Sequence, residues 1–185
     1  IYYVHNIEMQ FGQMTNEQIF DNTKEIFNVL EQKVKDGKLS YYGLAGWNGL
    51  LNEPNNPEYI SLKKIVDLAG SGFKFLQVPF NLAKTHAYSV KNQEIDGEMY
   101  TLFEAAQKLG LHVITSSSFL QTNLFKRPFN QAVSKLLGAE FSDFQKALRF
   151  CAASPSACAL FGSKDPEHVK SNLEIAKKQK VRKKN

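Results

Sequence analysis

Five short polar stretches punctuate this sequence directly after apolar segments: His5-Asn6, Ala45-Gly46-Trp47-Asn48, Gln77 with Asn81, Ser116-Ser117-Ser118, and Gly162-Ser163-Lys164. Together they offer one imidazole, one cation, amides, hydroxyls and an indole, but no carboxylate cluster. Such a set does not make a metal site, and it lacks the paired acids of a glycoside hydrolase. The sequence has no GxSxG elbow, no P-loop and no GxGxxG run, so the usual local signatures of serine hydrolases, Walker-type ATPases and Rossmann dinucleotide sites are missing. The chemistry these residue types can perform is hydrogen bonding to a polar ligand, polarisation of a carbonyl by His5, and retention of an anion.

The last stretch carries the most chemistry. Gly162-Ser163-Lys164-Asp165-Pro166 puts a tight turn, a hydroxyl and a cation at the mouth of a helix, with Pro166 suited to the first helical position. Backbone N–H groups there, with Lys164, form an anion site that fits a nucleotide phosphate. His168 and Asn172 follow Lys164 at i+4 and i+8, on the same helical face. Ordinary capping with solvated side chains accounts for the same pattern. His5 is either an active-site imidazole or a hydrogen-bonded structural histidine, and Trp47 is either a substrate-pocket wall or packing. Gln77, at a strand's end, can bond a planar amide. His86 in a loop and His112 at a strand's start read as structural.

The elements that must position these residues alternate. A strand over Ile1–Val4 precedes a helix over Asn16–Asp36 stopped by Gly37, and a strand over Leu39–Leu44 precedes a helix through Ile60–Leu68 closed by Gly70 and Gly72. A strand over Phe75–Phe80 follows, then a helix over Glu98–Leu109 paired with a strand over Leu111–Thr115. Helical segments at Pro128–Leu137 and Phe141–Ala152 lead to a short strand at Ala157–Phe161 and a final helix from Pro166. Such alternation implies parallel strands joined by helical crossovers. The nearly all-apolar strands imply a sheet covered on both faces. An open doubly wound sheet and a barrel both satisfy the pattern, and in both the site lies at the strands' C-terminal ends.

At 185 residues, with 43% hydrophobic and 22% charged residues, the chain reads as one ordinary globular domain. The net charge of +5 is concentrated in the last nine residues, 177–185, a basic tail whose removal leaves the rest close to neutral. Nucleic-acid binding is therefore not expected. No apolar run approaches the roughly 20 residues of a membrane span, so no membrane partner is expected. Cys151 and Cys158 lack metal-ligand spacing and read as reduced, buried thiols of a cytoplasmic protein.

Taken in order, Tyr2-Tyr3-Val4-His5-Asn6, Gly37-Lys38-Leu39 with Tyr42-Gly43-Leu44, Gln77-Val78-Pro79-Phe80-Asn81-Leu82, Val113-Ile114-Thr115-Ser116-Ser117 with Leu120-Gln121, and Gly162-Ser163-Lys164 through Asn172-Leu173 resemble the C-terminal part of an aldo-keto reductase. The resemblance implies a (β/α)8 TIM-barrel fold, here an incomplete barrel of about five β/α units over residues 1–176, corresponding to strands four to eight. It implies an oxidoreductase transferring hydride between NADPH, or NADH, and a small aldehyde or ketone. His5 would bond the substrate carbonyl, and Gln77 the nicotinamide carboxamide. Residues of Thr115–Ser118, Ser116 and Ser117 among them, would lie beneath the ring and along the pyrophosphate. Gly162, Ser163, Lys164, His168 and Asn172 would meet the adenosine end.

Three departures from the family pattern accompany the match. Ala45-Gly46 stands where the family usually has Ser-Asn, the nicotinamide-stacking aromatic falls on Thr115 or Ser116, and His168 aligns with a frequent arginine. The family's catalytic Asp, Tyr and Lys have no counterparts here. The resemblance therefore implies a piece of a longer protein, partnered by the missing N-terminal portion of the barrel. The rival readings are a non-catalytic nicotinamide-nucleotide-binding regulatory subunit on the same fold, as in potassium-channel β subunits, and an inactive fragment.

Overall fold

A computed structural model describes residues 1–178. Five strands, β1 (Tyr2–His5), β2 (Tyr42–Ala45), β3 (Phe73–Pro79), β6 (His112–Ser116) and β7 (Cys158–Ala159), form one parallel sheet in the order β1-β2-β3-β6-β7. Every crossover steps to the next strand in the same direction. A doubly wound sheet reverses its strand order at a switch point, so this order selects an arc of a barrel. β1 and β7 are the two edges of the arc. Although β7 is only two residues long, backbone bonds from Ala157 N–H to Val113 and from Leu160 N–H to Thr115 continue the pairing across the stretch expected as strand.

The convex side is closed by helices. In α1 (Asn16–Lys35) the Thr15 hydroxyl and Gln18 side chain form a reciprocal capping box, and Ile19, Phe20, Phe27 and Leu30 form the buried stripe. Gly37, at φ +70°, lets the chain leave the helix. Phe27 packs on Tyr42 and Phe73 with ring centroids 5.2–5.6 Å apart. Tyr42 accepts the Gly70 N–H through its hydroxyl, and burial pushes that phenol up to about 12. α2 (Leu62–Leu68), α4 (Leu102–Lys108) and α6 (Asp143–Ala153) complete this layer through Leu62, Ile65, Leu102, Ala105, Ala106 and Cys151. α5 (Gln131–Leu137) packs on α6, and α7 (Pro166–Lys178) follows the last strand and packs on α6 as well.

The stretch expected as one helix over Glu98–Leu109 is different. After a short α3 (His86–Ser89), β4 (Lys91–Ile95) and β5 (Glu98–Thr101) form an antiparallel hairpin, and α4 begins only at Leu102. The hairpin turns on Asp96-Gly97, both at positive φ, the primed-turn signature of an Asp-Gly pair. The hairpin also has work to do. Buried Asn92 and Gln93 donate side-chain bonds to Leu50, Ile60 and Asn52 carbonyls, fastening the long loop after β2.

Cys151 is buried as expected, but Cys158 is exposed. No helix among the described residues is long and apolar enough to cross a membrane. α7 runs two residues past the expected domain boundary at 176; the rest of the basic tail lies outside the described residues.

Candidate functional site

Strand register sorts the side chains into two sets. Tyr42, Leu44, Leu76, Val78, Val113 and Thr115 point to the helix layer and are buried. The alternate residues face the concave side. There a row runs in register across the whole sheet: His5, Ala45, Gln77, Ile114 and Cys158. With neighbouring strands ~4.8 Å apart, His5 and Gln77 stand about 10 Å from each other at backbone level. Burial, and secondarily the charge of the Cys158 thiolate, raise the Tyr3 phenol on this face above its ordinary value. The register also places Thr115 and Ser116 on opposite faces. Thr115 is fully buried among the helices and donates to the Cys158 carbonyl, so Ser116 is the residue that faces the concave side.

The rim at the strands' C-terminal ends is tied together by residues whose roles the local sequence does not announce. Asn81, fully buried, accepts the Ala83 and Lys84 N–H groups through Oδ1 and donates through Nδ2 to the Ser117 carbonyl at 2.9 Å. Ser118 donates to the Leu160 carbonyl at 2.6 Å. Cys151 donates to the Phe80 carbonyl, and burial pushes its thiol up to about 11. These bonds join the ends of β3, β6 and β7. Ser117, Leu120, Gln121 and Thr122 then all adopt left-handed backbone conformations, four of the six non-glycine residues that do so in the described chain. Strained backbone gathered in one loop is a feature of ligand-binding segments.

On the β2 side, the buried Glu8 carboxylate accepts the backbone N–H groups of Trp47 and, at 3.3 Å, Asn48. A Cβ at Gly46 would lie 2.9 Å from Glu8 Oε1. Gly46 therefore has a local cause: the hydrogen-bonded Glu8 carboxylate occupies the space that a side chain at 46 needs.

Beyond the strained loop lies a cleft of about 800 Å³ bounded by the loop, α6 and the start of α7. Gly162, Ser163, Lys164, His168 and Asn172 all line it, so five of the residues selected from sequence come together. Ser117 lines a second cavity of about 260 Å³ that shares Phe119, Thr122 and Gly162 with the first, so the two adjoin along these residues. Phe119 and Phe144, not foreseen from sequence, form one wall with rings edge-to-face at 5.4 Å, and the His168 imidazole lies nearly parallel to Phe144 at 6.4 Å. Asn172 is only 6% exposed, yet no hydrogen bond among the described residues holds its amide. Its amide opens on the cleft, so a ligand there finds a donor and an acceptor not used by the chain.

The helix mouth differs in one respect from expectation. The Asp165 carboxylate accepts the Glu167 N–H at 2.8 Å, and the Ser163 hydroxyl accepts the Asp165 N–H at 3.1 Å. One first-turn donor is thus taken by the chain itself, which leaves the Lys164 ammonium and the His168 imidazole lining the cleft. Lys164 makes no ion pair among the described residues, whereas His168 Nε2 stands 3.7 Å from Asp165.

Gln77, Ser116 and His5 lie on the concave face rather than in the cleft. Gln77 and Ser116 belong to paired strands, while His5 is on the exposed edge strand. Trp47 stands apart at the rim, 38% exposed, with the Lys84 ammonium 5.4 Å from its ring centroid. No group of three or more metal-ligating side chains occurs among the described residues.

No family model and no curated protein matches the chain. Solved structures do. The chain is similar to a thermostable aldo-keto reductase in complex with the inhibitor epalrestat, with TM-score 0.59, 16% identity and coverage of 86% of this chain and 51% of that one. The holo form of an aldo-keto reductase from Bacillus halodurans gives TM-score 0.59 and 17% identity over 96% of this chain and 55% of that one. An aldo-keto reductase from a Medee basin deep-sea metagenome library gives 0.59 and 14%, over 94% and 53%. The chain spans about half the length of the solved structures it matches. Its five parallel strands and their crossovers have the fold of a partial aldo-keto reductase barrel.

Proposed function

We propose that this chain is the dinucleotide-binding part of an NAD(P)H-dependent aldo-keto reductase, acting on a small aldehyde or ketone. The observation that carries the reading is the cleft: residues from three separate segments converge on one space that Asn172 lines, its amide engaged by no hydrogen bond among the described residues. The residues fit the cofactor. Phe119 and Phe144 offer flat apolar walls for adenine, Asn172 offers a donor and an acceptor to its edge, and a phosphate would find the charge of Lys164 and a ring N–H of His168. The loop from Ser117 to Thr122 would follow the pyrophosphate, and Gln77 with Ser116 would hold the nicotinamide end on the concave face.

When bound, the nicotinamide supplies the hydride; the residues of this chain supply position and charge. His5 would donate an imidazole N–H to the substrate carbonyl oxygen, favouring the negative charge that develops there. Gln77 would fix the ring's rotation through its carboxamide. The proton donor, a tyrosine with its Asp and Lys partners, would come from β/α units outside these 185 residues. The same units would pair with the β1 and β7 edges and cover the concave face.

The regulatory-subunit reading draws its support from Ala45-Gly46, where the two carboxamide contacts of the family would be missing or supplied by backbone. Turnover separates the two. NADPH-dependent reduction of 4-nitrobenzaldehyde is expected from the protein that includes the remaining units, with His5→Ala lowering kcat about 100-fold or more, in the range of a lost general acid–base or oxyanion donor. The 185-residue chain alone should show no turnover. Robust turnover by the chain alone would overturn the assignment of the proton donor, and an assembled protein that binds NADPH but never turns over would favour the regulatory subunit.

A further inference from the structure

A second cavity on the same rim, of about 400 Å³, lies between the loops after β2, β3 and β6. Its polar lining is Asn48, Asn52, Lys84 and His86; Leu51, Ala83 and Leu120 supply the apolar wall. Lys84 donates to the Asn48 side-chain oxygen and the Trp47 carbonyl. An ammonium group has three donors, so one remains for a ligand. Glu8, the carboxylate whose charge acts on Lys84, already accepts two backbone N–H groups. Half-burial holds the Lys84 ammonium below its ordinary range, against the pull of Glu8. A cation that is desolvated and only partly paired is stabilised by an anion placed beside it. Leu120 closes the cavity on one side, and its neighbours Gln121 and Thr122 line the dinucleotide path on the other.

We infer that this cavity is a substrate subsite that takes the carboxylate of a small, carboxylate-bearing carbonyl compound, with Lys84 supplying the charge and Asn48 and His86 further donors. The apolar wall favours a carboxylate on a hydrocarbon frame over a bare inorganic anion, because Leu51 and Leu120 gain only by covering carbon. That the ligand is a carbonyl compound rests on the reductase reading; that it is a carboxylate rests on the cavity.

Trp47 is the only tryptophan of the chain and stands beside Lys84, so its fluorescence reports the cavity. Benzoate is the probe and benzamide its neutral counterpart. Benzoate should titrate the Trp47 signal to saturation, with benzamide and inorganic phosphate weaker by about tenfold or more, the worth of a charge-assisted bond in a partly dry site. Lys84→Gln should remove that preference and Lys84→Arg should keep it, with NADPH affinity unchanged in both. Equal binding of benzoate and benzamide, phosphate as tight as benzoate, or a preference that survives Lys84→Gln would each overturn the inference. Should Lys84→Gln fail to fold, the three ligands compared on the natural chain still decide the matter. Loss of benzoate selectivity with intact NADPH binding removes the subsite alone; absent NADPH binding with intact selectivity removes the reductase reading alone.

Discussion

On the convex side of the sheet Tyr42, Leu44, Leu76 and Val78 are at most 1% exposed, while on the concave side Tyr3, Phe75, Gln77 and Ile114 stay half open and His5 and Cys158 are exposed. The same strands build both sides, because successive side chains alternate between them. The convex residues are apolar, interlocked and partnered, and they determine the fold. The concave and rim residues include amides, an imidazole and a thiol with few partners, and they are where a ligand and the rest of a barrel have something to gain. Gln77 and its chain neighbour Leu76 thus serve different ends of the molecule.

The sharpest way to break this contrast is a pair of truncations on opposite faces. Leu76→Ala should cost about 2–5 kcal/mol through the cavity it leaves, lowering Tm by roughly 5–15 °C. Ile114→Ala, on the half-open face, should cost about 1 kcal/mol or less in calorimetry, since little apolar area leaves the water there. Equal losses would mean that the concave face is already packed, and in a protein with the remaining barrel units the two costs should converge.

Next in size is Gln77→Ala, which should leave Tm within about 1 °C yet weaken NADPH binding about tenfold, the worth of one or two amide hydrogen bonds. A large drop in Tm with unchanged binding would move Gln77 to the structural side of the contrast. Lys164→Ala should weaken NADPH several-fold and NADH hardly at all, because an exposed lysine facing a phosphate gives a modest, salt-screened gain. Equal weakening of both removes Lys164 from the 2′-phosphate.

The smallest effect concerns the two thiols. Burial raises Cys151 to about 11, so its reactive thiolate is scarce at any pH below that value. Cys158 is exposed on the concave face. Titration of the native chain with a disulfide reagent at pH 8 should consume one thiol quickly, with the second appearing only in denaturant. Two fast thiols would show that the rim around Phe80 and Ser118 opens readily.

Periodicity carried the parallel α/β alternation, because amphipathic stripes such as Ile19–Leu30 and apolar strands leave periodic marks, whereas the barrel came from the family resemblance and not from the pattern. It misassigned residues 98–101, where Tyr100, Leu102 and Phe103 mimic a helical stripe and mask two local signals: Asp96-Gly97 as a hairpin turn and Thr101 with Glu104 as a capping box. The lysine end of the site was legible because Lys164, His168 and Asn172 share one helix face. Glu8 and Asn81 were not, since each acts on backbone 36–40 residues away, at separations that leave no local spacing. Phe119 and Phe144 became visible only when the loop after β6 met α6.

The central claim is that the chain holds a nicotinamide dinucleotide in the cleft that ends at Asn172. An equilibrium titration of the 185-residue chain with NADPH, run beside Asn172→Ala, tests it directly. The account predicts saturable one-to-one binding that Asn172→Ala weakens about tenfold while Tm changes little, because no hydrogen bond of the chain is removed. No saturable NADPH binding by the folded chain, or binding indifferent to Asn172→Ala, would contradict it.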